Sequence, residues 1–116
     1  MRTALTALAM TLWAAPALAA SAQAEGYKKL NAAQIRSAFT GRSFSDEVHF
    51  SYAYKADGKI IGVSMGRKVT NAWAIEKDRL CITDGFGRTC HIVWKKAAAV
   101  RLTLEDSDFA LDGVLR

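Results

Sequence analysis

The sequence is poor in the residues that mark most active sites. It holds one proline, two cysteines and two histidines in 116 residues. Two cysteines and two distant histidines, His49 and His91, do not supply the paired ligands of a structural zinc site. Cys81 and Cys90 are too widely spaced for the C-x-x-C of a thiol redox site. Ser43, Ser45, Ser51 and Ser64 stand in no G-x-S-x-G setting, so the usual serine-hydrolase elbow is absent. Asp57, Asp106 and Asp108 fall in turns, where aspartate is explained by its hydrogen bonding to nearby backbone. No concentrated basic stripe is present: the lysines and arginines are spread along the chain, at most in pairs. No nucleic-acid surface is expected from that distribution.

Long apolar runs are also missing, with one exception. Ala4 to Ala15 carries no charge, follows Arg2 and ends at Pro16. A spanning helix needs about 20 apolar residues, and this run is shorter. A basic start, a short apolar stretch and small residues after it are the three parts of a secretory signal peptide. Residues 1–24 are therefore read as a signal peptide cut before Glu25, with cleavage after residue 19 as the alternative. Residues 25–116 form a single small β-rich domain in that reading, with no membrane span in the mature protein. The formal charge of +5 falls by one, because Arg2 is the only charged residue removed. The expected location is periplasmic or secreted, where disulfides persist.

The mature part opens on a polar stretch, Glu25 to Lys29, expected to be a flexible lead-in. A short helix follows, over about Ala32 to Thr40. Asn31 is a good N-cap, and Gln34 three residues later completes a capping box. Leu30 and Ile35 are placed as a hydrophobic staple, and Gly41 as a left-handed C-terminal stop. After Gly41 the hydrophobic period changes to two. Phe50, Tyr52 and Tyr54 alternate with smaller or polar residues, as in a half-buried strand. Asp57-Gly58 then marks a hairpin. Gly62 is a candidate for a bulge or a close backbone approach. Further strands are expected around Trp73 and Ile75, from Arg79 to Lys96, and at the C-terminal end. The fold class is α+β, mostly β: a short N-terminal helix, then an antiparallel meander of six to eight strands that can curl into a small barrel.

The hairpin from Arg79 to Lys96 is the most informative segment. A two-residue tip at Gly85-Phe86, with Gly85 suiting a type II′ turn, makes Asp84 face Gly87. Counting outward, Cys81 then faces Cys90 at a non-hydrogen-bonded pair, where Cα atoms approach to about 4.5 Å. That separation permits a disulfide, so Cys81 and Cys90 are expected to be bridged. His91 points to the opposite face of its strand.

Candidate ligand-facing residues are Tyr52, Tyr54, Trp73 and Trp94, with His49 beside Asp46 and Glu47. Aromatic side chains on strands either fill a core or line a barrel cavity that takes an apolar ligand. No catalytic residue, metal site or cofactor is indicated. The segment Trp73 to Val93, with its Leu80-Cys81 turn and strand and its second cysteine on the return strand, resembles a pattern in small exported proteobacterial proteins of uncharacterised function. The stretch Leu30 to Arg42 is similar to their opening helix. Asn71-Ala72 departs from the Gly-Thr that often precedes the Trp there. The resemblance implies export, a β-meander and the hairpin disulfide, and no activity.

The sequence is thus read as an exported, non-enzymatic binding or interaction module. Its partner would be a small apolar ligand or an envelope or extracellular protein. A small enzyme or enzyme accessory with a site near His49, and a structural cell-envelope factor acting through its basic surface, are the alternatives.

Overall fold

The computed structural model describes residues 17–116. The apolar run Ala4 to Ala15 lies outside the described residues, and with it most of the expected signal peptide. In chain order the elements are α1 (Ala17–Ala24), β1 (Lys28–Lys29), α2 (Ala32–Phe39), β2 (Arg42–Ser45), β3 (Phe50–Tyr54), β4 (Lys59–Ser64), β5 (Arg67–Glu76), β6 (Arg79–Asp84), β7 (Gly87–Lys96), β8 (Ala99–Thr103) and β9 (Ala110–Leu115).

Each strand from β2 to β9 pairs antiparallel with the next, and β9 returns to β2 through Phe44–Leu115 and Ser45–Val114. The meander therefore closes into an eight-stranded barrel, as the curled-sheet expectation allowed. Closure leaves β2–β9 without a free edge, which removes the usual hazard of edge pairing. Connections alternate between ends. The β3–β4, β5–β6 and β7–β8 turns share one end, and the β2–β3, β4–β5, β6–β7 and β8–β9 connections share the other.

The first end is closed by α2. Its N-terminus carries the full capping box: Gln34 N–H donates to Asn31 Oδ1 and Asn31 N–H to Gln34 Oε1, each at 2.9 Å. Ala32 N–H donates to Asp78 Oδ1 at 2.7 Å, which ties the helix start to the β5–β6 turn. At the other end of α2, Gly41 takes φ 73° and donates to the Tyr54 carbonyl at 2.8 Å. Between these two anchors, Ile35 and Phe39 are fully buried. The Phe39 ring meets Tyr54 edge-on at 4.8 Å and Phe44 at 6.1 Å. A helix of eight residues is unstable alone; this one is held by the apolar face it places in the barrel end.

Two glycines set how closely neighbouring strands approach. A Cβ on Gly62 would stand 2.0 Å from the Ser51 carbonyl oxygen, and one on Gly113 would stand 2.5 Å from the Phe44 ring. Both sites admit only hydrogen, so the close approach expected at Gly62 is present.

Two local expectations differ from the structure. Lys28 and Lys29 are not a free lead-in: they pair with Lys95 and Trp94 as β1, a strand additional to the eight of the closed ring. The β6–β7 turn keeps the expected register but not the type II′ geometry. Gly85 does not take positive φ; Gly87 does, at 133°. Asp84 Oδ1 accepts the Phe86 N–H at 2.7 Å, and this side-chain turn shifts the left-handed residue to the end of the tip.

Candidate functional site: the open end of the barrel

Alternation along β6 and β7 decides what faces inward. Leu80, Ile82 and Asp84 pair with His91, Thr89 and Gly87, and Leu80 lies in the core. His91 and Thr89 therefore point inside, and the Cys81–Cys90 bridge lies outside. The bridge has a Cα–Cα separation of 3.9 Å and occupies the expected pair. Glu76 places a carboxylate close to the two sulfurs. Its partner is Arg88 at 2.7 Å, and the sulfurs are bonded to each other, so the group does not present thiolates to a metal.

Above the α2 plug the barrel interior holds a cavity of about 350 Å³. Tyr54, Ile60 and Leu102 form its buried floor; Tyr52, Asn71, Ile82, Leu104 and Leu111 form its half-buried wall. Asp84, Thr89 and Phe109 are exposed and mark the mouth, between the β6–β7 hairpin and the β8–β9 connection. Ligand sites commonly occupy about 300–1,000 Å³ with apolar walls and a few polar groups. This cavity has that size and composition.

His91 is its most informative residue. It is 7% exposed, and its Nδ1 finds no hydrogen-bond partner among the described residues. Its ring lies 5.7 Å from Phe109. Burial pushes the imidazole pKa down from its ordinary value, so the neutral ring is favoured. An unpaired buried nitrogen costs about 1–3 kcal/mol. Burial also raises the Tyr54 phenol, with a smaller contribution from Tyr52, which keeps it a neutral donor.

The residues singled out from sequence divide. Tyr52 and Tyr54 line the cavity. Trp73 is in the core near the closed end, packed 5.6 Å from Tyr54, with its Nε1–H donating to the Lys55 carbonyl at 2.9 Å. Trp94 lies on the outer face of β7, where its Nε1–H donates to Thr103 Oγ1 at 3.0 Å. The N-terminal segment packs on the outside of the barrel. Ala22 is fully buried, and the Arg101 guanidinium stacks 4.8 Å from the Tyr27 ring while binding Glu25 and Asp112. His49 sits in the β2–β3 connection, 61% exposed, with Nδ1 2.7 Å from Asp46 Oδ2.

Asp46 is chiefly a loop organiser. It also accepts backbone N–H bonds from Val48, His49 and Phe50. Desolvation opposes ionisation, but these bonds and the His49 ring outweigh it and hold the carboxyl well below the usual carboxylate range. Ser45 Oγ donates to the Phe50 carbonyl rather than to His49, so no nucleophile–base pair forms there.

Sequence reading missed Asn71, Asp84, Thr89, His91 and Phe109 as a group. A signal for three of them existed: counting by twos from the Gly85-Phe86 tip puts Asp84, Thr89 and His91 on one face.

Comparisons with protein-family models, with curated proteins and with solved structures returned no match. One further feature marks this end: Val48, Met65, Phe86 and Phe109, one on each of its four connections, are exposed large apolar side chains.

Proposed function

We propose that this protein is an exported, non-enzymatic carrier or sensor that holds one small, mostly apolar molecule inside its barrel. The observation that carries the reading is the cavity of about 350 Å³ lined by Tyr52, Tyr54, Ile82 and the buried ring of His91. An eight-stranded barrel is just wide enough to be filled by its own side chains or to hold one small ligand. Here α2 fills one end, and Tyr52, Tyr54 and His91 give the other an aromatic lining.

Export rests on the signal-peptide pattern of residues 1–24 and is supported by the Cys81–Cys90 bridge, since disulfides persist outside the cytosol. Among the described residues no helix is long and apolar enough to cross a membrane. Cleavage before Glu25 would remove α1 with its buried Ala22 and leave Glu25 and Tyr27 on Arg101.

Mass spectrometry of protein recovered from its own host tests the reading. The expected result is an added mass under native conditions that disappears on denaturation, together with a chain mass lacking residues 1–24. Absence of added mass, combined with failure of small apolar probes to bind, would refute it.

A second reading, a module that docks an envelope or extracellular protein, is favoured by the apolar tips Val48, Met65 and Phe86. It predicts that replacing these three with serine abolishes a cross-linked complex while leaving small-molecule binding intact.

A further inference from the structure

The cavity carries information about the charge of its occupant. The protein as a whole is basic, at +5, yet the cavity is not. Among the described residues that line it, Asp84 is the only acidic one and none is a lysine or arginine, while burial favours the neutral His91 ring. Asp84 stands at the mouth and is exposed. One of its oxygens, Oδ1, is held by the Phe86 N–H, and no hydrogen bond among the described residues engages Oδ2.

The surroundings of the mouth carry both signs, with Arg67 and Lys68 exposed where β5 leaves the β4–β5 connection. The β8–β9 connection contributes Asp106 and Asp108, both exposed. On the two hairpin strands the arginines point outward into ion pairs, Arg88 with Glu76 and Arg79 with Glu105. Carboxylates thus border the mouth from the hairpin on one side and the connection on the other. A cleft lined by one sign of charge raises the local concentration of the opposite sign and lowers that of its own. Behind Asp84 the lining is aromatic at Tyr52 and Tyr54, with Phe109 at the mouth, and aromatic rings attract a cation through their quadrupoles. The His91 ring, against Phe109, completes the lining.

We infer that the barrel selects small amines: molecules with an aromatic or aliphatic body seated between Tyr52, Tyr54 and Ile82, and a protonated nitrogen held at the Asp84 carboxylate. Carboxylic acids of the same shape are rejected, and neutral alcohols fall between. The inference rests on the carrier reading above and adds the ligand's charge to it.

Three probes of nearly one shape separate the two claims: 2-phenylethylamine, 2-phenylethanol and 3-phenylpropionate. Affinities are measured by calorimetry at pH 7 and low salt on the full mature chain. The amine is expected to bind about tenfold tighter than the acid, the size of an exposed charge pair gained in one case and a repulsion in the other. Asp84→Asn keeps the Oδ1 acceptor for the Phe86 N–H, so the turn persists. In that variant the amine should lose its advantage while the alcohol binds as before. Should the substitution unsettle the hairpin, Asp106→Asn with Asp108→Asn gives a milder version, a reduced amine preference that disappears at high salt. An acid that binds as tightly as the amine, with the alcohol bound, overturns this inference and leaves the carrier reading standing. Failure of all three probes overturns both.

Discussion

The Cys81–Cys90 bridge and the His91 imidazole lie on opposite faces of the same ladder, one residue apart on β7. The bridge clamps the outer face of the two strands whose inner face supplies Ile82, Asp84, Thr89 and His91 to the cavity. The disulfide is therefore a support for the site as well as for the fold.

Replacing both cysteines with serine should lower stability by about 2–3 kcal/mol, the loop-closure value for so short a loop. Urea denaturation of the oxidised and doubly substituted proteins measures it. An unchanged midpoint would mean the ladder is already fixed by the barrel.

Acid should weaken the fold in two separate windows. His91 is depressed in the folded state, so the unfolded chain takes up its proton first. Stability is complete above about pH 6.5, the ordinary histidine value, and declines as pH falls below it. The groups around the ring are Phe109, the opposed Leu80 and, in the same cavity, Tyr52, Tyr54 and Asp84. Asp84 is the charge that would favour the protonated ring, and its exposure at the mouth limits that effect. His91→Leu should flatten the decline between pH 7 and 5. Asp46 is also depressed, so its contribution is present above about pH 4 and is lost only on stronger acidification. Asp46→Asn should remove that second loss. Denaturant midpoints across pH test both, and a flat profile for the unsubstituted protein between pH 7 and 5 would contradict the account of His91.

Gly62→Ala should destabilise by at least about 3 kcal/mol, at the upper end of ordinary overpacking. The new carbon would meet Ser51 backbone, which cannot move aside without opening the β3–β4 ladder. Gly41→Ala offers a comparison. Nothing lies within 4 Å of a Cβ there, and only the positive φ opposes it, so a smaller cost is expected. Thermal melts of the two variants should separate clearly.

Phe39→Ala should cost about 3–5 kcal/mol and open the closed end. Its ring is fully buried against Tyr54 and Phe44, and it joins α2 to the cavity floor. Weaker probe binding at a temperature where the variant is still folded would show that the plug shapes the site.

Legibility from sequence followed the range of the interactions. The α2 cap was readable because Asn31, Gln34 and Gly41 act on backbone within one or two turns. The Cys81–Cys90 register was readable because a tight turn fixes partners by counting, even though the turn's own type was misjudged. Closure of β9 on β2 joins Phe44 to Leu115, and no local pattern announces a contact so distant in sequence. The aromatics mislead for a related reason. Near Val93 and Trp94 both faces of β7 are buried. The simple rule that a buried aromatic faces the interior fails at Trp94. His91 was on the page as the residue facing away from the disulfide, but whether that face was inside depended on knowing which way the barrel closed.

The most direct measurement is a methyl NMR titration of the folded protein with 2-phenylethanol. Ile60, Ile82, Leu102, Leu104 and Leu111 line the cavity, whereas Val48, Ile61 and Val63 are exposed outside it. The account predicts saturable shifts of the first group with the second unmoved. Shifts confined to the exposed group, or none in either at saturating probe, would contradict it.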